Sequence, residues 1–352
     1  MPFTSRFQYC YEAMEEFNAE RSVDIIKPPV IPEKLIKFLK EYDNFIIAGH
    51  KEPDGDCIGS SIAMALFLRR LKKDCFLMSA GPFKRTEIKK YEHLFSSELP
   101  KLDKFNYKTA GLIIVDCSGF DRIGDIAPLL KDFPYIVIDH HATNSEKSDN
   151  SLVMTTAPST TYLIQSVIEE LTGAVTQEEA EALFFGLCTD TGFFRHLDER
   201  SAEVFAHASR LIAAGANPKK TFLQMNGGKP FESRLLISRI LNRMEKHYGG
   251  RLITAYETYE DTQKYGLEGR DSDILYQLIQ SIEGVEAICV VRQESLTHCS
   301  VGFRSLDKID VSSIALSFGG GGHKQAAGLY IEGTINDLMP KFIEAFKPQM
   351  QG

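Results

Sequence analysis

Tyr135-Ile136-Val137-Ile138-Asp139-His140-His141 decides how this chain is read. Apolar residues suited to a buried parallel strand run directly into an acid and two adjacent imidazoles. Buried strands of α/β proteins deliver chemistry at their carboxyl ends, so Asp139, His140 and His141 stand where a site is expected. Alone, the stretch reads equally well as a polar strand exit. Three others repeat its pattern and tip the balance: Ile46-Ile47-Ala48-Gly49-His50 leading into Pro53-Asp54-Gly55-Asp56, Leu112-Ile113-Ile114-Val115 into Asp116, and Leu183-Phe184-Phe185-Gly186-Leu187-Cys188-Thr189 into Asp190.

Around these stretches strand and helix patterns alternate. Strands are expected over 45–50, 75–80, 111–115, 135–139 and, briefly, 152–155, with helices over 58–71, 159–171, 177–189 and 200–214. Thr176 followed by Glu178 and Glu179 predicts a capped start for the third of these helices. Such alternation predicts an α/β domain, a parallel sheet with helices on both faces. Residues 6–40 carry helical periodicity interrupted by Pro28, Pro29 and Pro32. Residues 215–230 break both periodicities and mark a boundary. Beyond them come a connecting helix (235–244), strands (252–256, 285–292, 298–304, 327–332) and helices (272–282, 311–318, 335–346). The expected organisation is a helical extension over 1–44, a metal-binding catalytic domain over 45–222, a linker with its helix over 223–246, and a smaller mixed-sheet α/β domain over 247–352.

The 352-residue chain is 43% hydrophobic and 25% charged, ordinary for a soluble globular protein. No apolar run approaches the length that crosses a bilayer, and Met1-Pro2-Phe3-Thr4-Ser5-Arg6 lacks the apolar stretch of a signal peptide, so a cytoplasmic location and no membrane partner are expected. The 7 cysteines are scattered without paired spacing and predict free thiols. A formal charge of -8 argues against coating duplex nucleic acid but is compatible with a short nucleotide held at a metal.

His50, Asp54 and Asp56 follow the spacing His-x-x-x-Asp-x-Asp on a strand-to-helix turn bent by Pro53 and Gly55. A hard divalent cation that polarises phosphate prefers carboxylates with some imidazole. The competing reading is an Asp-Gly turn with Asp56 as a helix cap. Asp116 and Asp190 each follow apolar residues, where an unpaired carboxylate is costly to bury. Together four acids and two imidazoles match the charge of two divalent cations.

In order, His50-x-x-Pro53-Asp54-Gly55-Asp56-x-x-Gly59-Ser60, Val115-Asp116, Asp139-His140-His141 and Thr189-Asp190-Thr191-Gly192 resemble the successive motifs of the DHH phosphoesterase superfamily. The resemblance implies one Mn²⁺ held by His50, Asp54 and Asp116 and a second held by Asp56, Asp116, His140 and Asp190, with Asp116 bridging and Mg²⁺ or Co²⁺ as alternatives. It implies that Asp139 orients an imidazole. His141 would touch substrate or protonate a leaving oxygen, the alternatives being a further ligand or a wall residue.

A second loud stretch is Gly319-Gly320-Gly321-Gly322-His323-Lys324-Gln325-Ala326-Ala327-Gly328. Consecutive glycines let backbone N–H groups approach an anion, although flexible hinges are also glycine-rich. The stretch resembles the signature of the DHHA1 domain, and Val301-Gly302-Phe303-Arg304-Ser305 resembles that domain's strand ending in Arg-Ser. Gly320, Gly321, Gly322 and His323 are thus candidates for binding substrate phosphate, together with the planar fork of Arg304 and the hydroxyl of Ser305. Arg122 and the pair Arg195-His196 are further candidates near the metals. Phe193 and Phe194 read as core, and the cluster from Lys84 to Lys90 as an exposed helix face.

The resemblance implies a manganese-dependent phosphodiesterase, with Asp116 and His141 in the reaction, that cuts short single-stranded oligonucleotides or dinucleotides such as pApA, with pAp phosphatase or c-di-AMP phosphodiesterase activity alongside. The rivals are a single-strand exonuclease of the RecJ type, whose extra OB-type domain is not read here, a pyrophosphatase, which lacks the Gly-His stretch, and a nucleotide-binding sensor, which a missing ligand would favour. A homodimer is compatible with the sequence.

Overall fold

A computed structural model describes residues 25–101, 105–141, 151–266, 270–306 and 308–350. The helical reading of residues 6–24 lies outside the described residues. Two compact units are present, Met1–Gly228 and Lys229–Gly352.

The first unit runs α1 (Glu33–Glu41), β1 (Asn44–Ala48), α2 (Gly55–Arg70), β2 (Asp74–Met78), β3 (Ala110–Val115), the short helices α3 (Phe120–Ile123) and α4 (Ala127–Leu130), β4 (Tyr135–Asp139), β5 (Leu152–Val153), α5 (Thr160–Thr172), α6 (Gln177–Asp190), α7 (Ala202–Ala213) and α8 (Pro218–Asn226). Its five strands are parallel in the order β2-β1-β3-β4-β5. Ile47, Ile113, Val115 and Ile138 face one core with Met64, Leu163 and Phe184, whereas Ile46, Leu112, Ile114 and Val137 face another with Ile123 and Leu130. Burial on both faces is why these strands read as unbroken apolar runs. The strand order reverses between β1 and β3, and in such sheets ligands bind beyond the carboxyl ends at that switch point.

The Thr176 cap is a full capping box with Glu179. Residues 218–226, expected as part of the boundary, form α8: Asn217 accepts from the Lys220 N–H and Pro218 holds the first position, a start signal that had been read as a break. The cluster from Lys84 to Lys90 is a turn leading into a 3₁₀ segment, Lys89–Leu94, rather than a helix face. Lys84 there pairs with Glu52 and Lys89 with Glu92.

The second unit contains α9 (Phe231–Leu241), β6 (Glu245–His247), β7 (Leu252–Glu257), α10 (Tyr259–Tyr265), α11 (Ser272–Gln280), β8 (Ala287–Gln293), β9 (His298–Ser305), α12 (Val311–Ser317), β10 (Gly321–His323), β11 (Ala326–Glu332) and α13 (Ile335–Met350). Its six-stranded sheet has the order β10-β11-β9-β8-β7-β6, antiparallel except for β7 with β8. On one face Val301, Phe303 and Ala327 pack against Ile314, Phe342 and Phe346 of α12 and α13. On the other, α9 and α11 cover Ile253, Ala255, Ile288 and Val290 with Leu236, Ile240, Leu275 and Tyr276. The α/β class, a parallel sheet and then a mixed one, is as expected. The strand inside the glycine run, β6 and α10 were not foreseen, and the connecting helix begins at Phe231 and packs within the second unit.

Candidate metal centre

β1 ends two residues before His50, and Asp54 then caps α2, its Oδ1 accepting from the N–H groups of Asp56 and Cys57 at 3.1 Å each. Asp116 follows β3 with a left-handed backbone (φ 59°), a conformation that Asp tolerates better than most side chains. Its own N–H donates to the Ile138 carbonyl, so the turn is held to the neighbouring strand. β4 ends in Asp139 and hands the chain to His140, while α6 delivers Asp190 as its last residue.

These elements bring every expected metal ligand together. His50 Nε2 lies 3.5 Å from Asp116 Oδ2 and 3.8 Å from Asp54 Oδ1. His140 Nε2 lies 3.1 Å from Asp190 Oδ2, 3.6 Å from Asp116 Oδ1 and 4.0 Å from Asp56 Oδ2. Asp116 therefore offers one oxygen toward each imidazole. Both imidazoles are aimed by their other nitrogen: His50 Nδ1 is 2.8 Å from the Lys51 carbonyl and His140 Nδ1 is 3.3 Å from that of Ala157. Carbonyls only accept, so each Nδ1 carries a proton and each Nε2 is the nitrogen turned to the acids.

Asp56 is completely buried, yet it is well supplied with donors. Its Oδ2 accepts the Thr160 N–H at 2.6 Å, and its Oδ1 accepts the Thr161 N–H at 3.0 Å and the Thr161 hydroxyl at 2.7 Å. Thr160 donates its hydroxyl to Asp116 Oδ1 at 2.9 Å. The acid thus sits on the amino terminus of α5, where unpaired N–H groups and the helix dipole favour negative charge. Thr160 and Thr161 were missed by the sequence reading. The visible signal was a pair of threonines in the first turn of a helix, and nothing local ties them to Asp56.

α2 and α6 approach each other backbone to backbone at Gly59 and Gly186. A Cβ added at Gly59 would stand 2.6 Å from the Ala182 carbonyl oxygen, and one at Gly186 would stand 2.4 Å from Thr161 Cγ2 and 2.9 Å from Asp56 Oδ1.

The electrostatics show a set of donors short of positive charge. Among the described residues no Lys or Arg pairs with Asp56, Asp116 or Asp190. Burial, then the charges of Asp116 and Asp190, push the Asp56 carboxyl far up, and burial with Asp54 and Asp190 nearby raises Asp116. Burial by itself would lower both imidazoles, but Asp116 and Asp54 push His50 up to about 10, and Asp190 with Asp56 pushes His140 up to about 10. His140 Nε2 is buried, and the groups it faces among the described residues are the carboxylates of Asp56, Asp116 and Asp190. Carboxylate oxygens and imidazole nitrogens facing one another in this way fit divalent cations, which take the place of the protons. Ligand atoms of Asp56, His140 and Asp190 lie within 4.8 Å of one another, as do those of Asp116, His140 and His141. A third such group, His50, Cys57 and Asp116, includes a thiol expected only as core filler.

His141 is 43% exposed, and its Nδ1 is held by Asp139 Oδ1 at 2.8 Å. Asp139 therefore orients His141, and through that hydrogen bond above all raises its imidazole. Arg122 is exposed on α3, its carbonyl accepting the Lys51 N–H. Arg195 and His196 fold back over Gly192, next to Asp190. Phe193 and Phe194 pack against the core of the first unit.

In the second unit, the Arg304 guanidinium lies 4.5 Å from the centre of the Tyr276 ring, a cation–π contact, and donates to the Phe303 carbonyl. Among the described residues no carboxylate pairs with it. His323 is exposed on β10. Ser305 departs from expectation: it is buried, and its hydroxyl donates to the Ile309 carbonyl at 2.7 Å, with the Lys324 carbonyl at 3.2 Å. Its donor ties the glycine-rich loop to the strand and is not turned outward to an anion.

Thr161→Val is expected to weaken metal binding about 10- to 100-fold, the usual range for a residue that orients a ligand. Calorimetric titration with Mn²⁺ checks this, and unchanged affinity would remove Thr161 from the site.

Comparison with known proteins matches residues 44–187 to the DHH family, N-terminal domain, and residues 249–352 to the DHHA1 domain. The chain is 30% identical over 305 residues to the bifunctional oligoribonuclease and PAP phosphatase NrnA of Thermus thermophilus, covering 86% of this chain and 89% of that protein. It is 27% identical over 345 residues to the cyclic-di-AMP phosphodiesterase GdpP of Bacillus subtilis, covering 93% of this chain and 51% of that protein. Among solved structures, an exopolyphosphatase-related protein from Bacteroides fragilis shares the fold with a TM-score of 0.76 at 22% identity, covering 93% of this chain and all of that one.

Proposed function

We propose, because this chain belongs to the DHH family and is a phosphodiester-hydrolysing enzyme, that it is manganese-dependent and cuts dinucleotides and very short single-stranded oligonucleotides to mononucleotides. The observation that carries the reading is the convergence of His50, Asp54, Asp56, Asp116, His140 and Asp190 at the switch point of the parallel sheet, in a chain similar to an oligoribonuclease and PAP phosphatase over most of its length. A donor set of four carboxylates with two imidazoles suits Mn²⁺ and Mg²⁺, the imidazoles leaning toward Mn²⁺. Divalent cations held by these groups neutralise phosphate charge and lower the pKa of water.

The chain's own residues do the rest. Asp116 spans both imidazoles and fixes their spacing. His141, whose Nδ1 is held by Asp139 and whose imidazole that contact raises, turns its other edge outward to give a proton to the departing oxygen. Arg304, which no carboxylate pairs with among the described residues, and the exposed His323 hold a phosphate of the substrate. Binding energy from that second phosphate aligns the diester, so a dinucleotide lacking its 5′-phosphate is expected to lose kcat/KM.

The test is a rate series on 5′-phosphorylated oligonucleotides of increasing length, run beside pAp and c-di-AMP. Activity should vanish with chelator, return more fully with Mn²⁺ than with Mg²⁺, and fall with length. Rates that hold or rise beyond about five nucleotides, the order of one strand-binding module's site, would overturn the short-substrate reading in favour of an exonuclease.

A further inference from the structure

A long side chain grips an anion best when it is already ordered, because rotamer freedom lost on binding is subtracted from affinity. The second unit orders other guanidiniums with acids. Arg270 lies 2.7 Å from Glu257 and 2.8 Å from Glu294, and Arg292 lies 3.5 Å from the fully buried Glu257. Arg304 pairs with no carboxylate among the described residues. What it touches is the Phe303 carbonyl and the Tyr276 ring, 4.5 Å from guanidinium carbon to ring centre.

Tyr276 is itself firmly seated. Ser272 and Tyr276 stand four residues apart on α11, and both meet Arg292: the Ser272 hydroxyl accepts from it at 3.2 Å, and the Tyr276 ring centre is 5.8 Å from its guanidinium carbon. β8 and β9 set Arg292 opposite Ser300, Val290 opposite Gly302 and Ile288 opposite Arg304. Directly opposed residues share a face. The ring therefore lies over the middle of this ladder, with Arg292 toward one end and Arg304 toward the other. Beneath its hydroxyl is Gly302, where an added Cβ would stand 2.1 Å from the hydroxyl oxygen. Gly302 does not have a left-handed backbone, so its missing side chain serves room rather than conformation. Tyr276 is 5% exposed, and its hydroxyl is buried with no hydrogen-bond partner among the described residues. An unpaired hydroxyl contributes no hydrogen bond, so what the residue supplies here is its ring.

We infer that Tyr276 is a positioning residue for Arg304: its ring fixes the guanidinium that receives the substrate phosphate, and residue 302 is glycine so that the ring can enter. The inference rests on Arg304 holding a phosphate, as read above. A carboxylate would order the guanidinium too, but it would neutralise the charge and occupy the fork that phosphate needs. An aromatic face attracts the cation and leaves its charge in place. Arg292 has the other role: paired with Glu257 and bonded to Ser272, it ties the start of α11 to the sheet.

The experiment compares kcat/KM of the full-length, Mn²⁺-loaded protein on a 5′-phosphorylated dinucleotide and on the same dinucleotide with a 5′-hydroxyl. The ratio isolates the second phosphate contact, because a general loss of structure lowers both rates together. Tyr276→Leu is expected to cut the ratio about tenfold, the order of a cation–π contact shielded from water. Tyr276→Phe keeps the ring and should keep most of the ratio. Gly302→Ala should push the phenol aside and lower the ratio, and adding Tyr276→Phe, which removes the oxygen that the new methyl meets, should recover it. A ratio unchanged in Tyr276→Leu, or lowered equally by Tyr276→Phe, overturns the inference. Nitrogen-15 spectra of the arginine Nε–H groups read the same contact without substrate, the Arg304 signal being assigned by its loss in Arg304→Ala. That signal should move in Tyr276→Leu and stay near its wild-type place in Tyr276→Phe; no movement in Tyr276→Leu overturns the inference. If wild type gains nothing from the 5′-phosphate, the phosphate reading of Arg304 fails, while a signal that moves in Tyr276→Leu alone upholds Tyr276 as the residue that positions it.

Discussion

Asp116→Ala is expected to lower kcat by at least about 10³-fold with Mn²⁺ present, because several kcal/mol of transition-state stabilisation depend on the cations that this residue is proposed to hold. Its two oxygens lie 3.5 Å from His50 and 3.6 Å from His140, so one deletion withdraws a ligand from each half of the centre. It also leaves the Thr160 hydroxyl without its partner. Metal content measured by mass spectrometry should fall along with turnover. Asp116→Asn separates the effects, since asparagine keeps the shape and tolerates the left-handed backbone but lacks the charge. Near-normal turnover in the alanine variant would disprove the shared-ligand assignment.

Arg304→Ala and His323→Ala should behave differently, lowering kcat/KM about 10- to 100-fold, the worth of a charged hydrogen bond to phosphate, while leaving bound metal unchanged. Both residues belong to the second unit, whereas all six acids and imidazoles of the metal set belong to the first. For Arg304 the expectation follows from a guanidinium that rests on Tyr276 and that no carboxylate pairs with among the described residues. Steady-state kinetics on a 5′-phosphorylated dinucleotide, with metal analysis of the same preparations, checks the division. Loss of metal in either variant contradicts it.

The strands of the first unit and the acids that end them were legible because burial on both faces leaves a continuous apolar run, and a carboxylate after such a run stands out. The residues proposed as metal ligands stand at those strand and helix ends and drew attention for the same reason. What could not be read depends on contacts between distant parts of the chain. Asp56 meets the first turn of α5 across 104 residues, and neither segment names the other. α8 was missed because Asn217-Pro218 is both a break and a beginning. β10 was missed because four glycines carry no strand preference, and their order comes from pairing with β11. Ser305 looked like a phosphate donor because residue type does not reveal that its hydroxyl is engaged by backbone carbonyls.

The backbone contact of α2 and α6 determines how this centre can change. Asp56 lies at the start of one helix and Asp190 at the end of the other, with Gly59 and Gly186 between them. The backbone contact at these glycines fixes how near the two helices run, and the Thr160 and Thr161 donors fix the Asp56 carboxylate. Exchanging a ligand alters charge and softness, but widening the gap takes a side chain at Gly59, where the first atom met is a carbonyl oxygen that yields little.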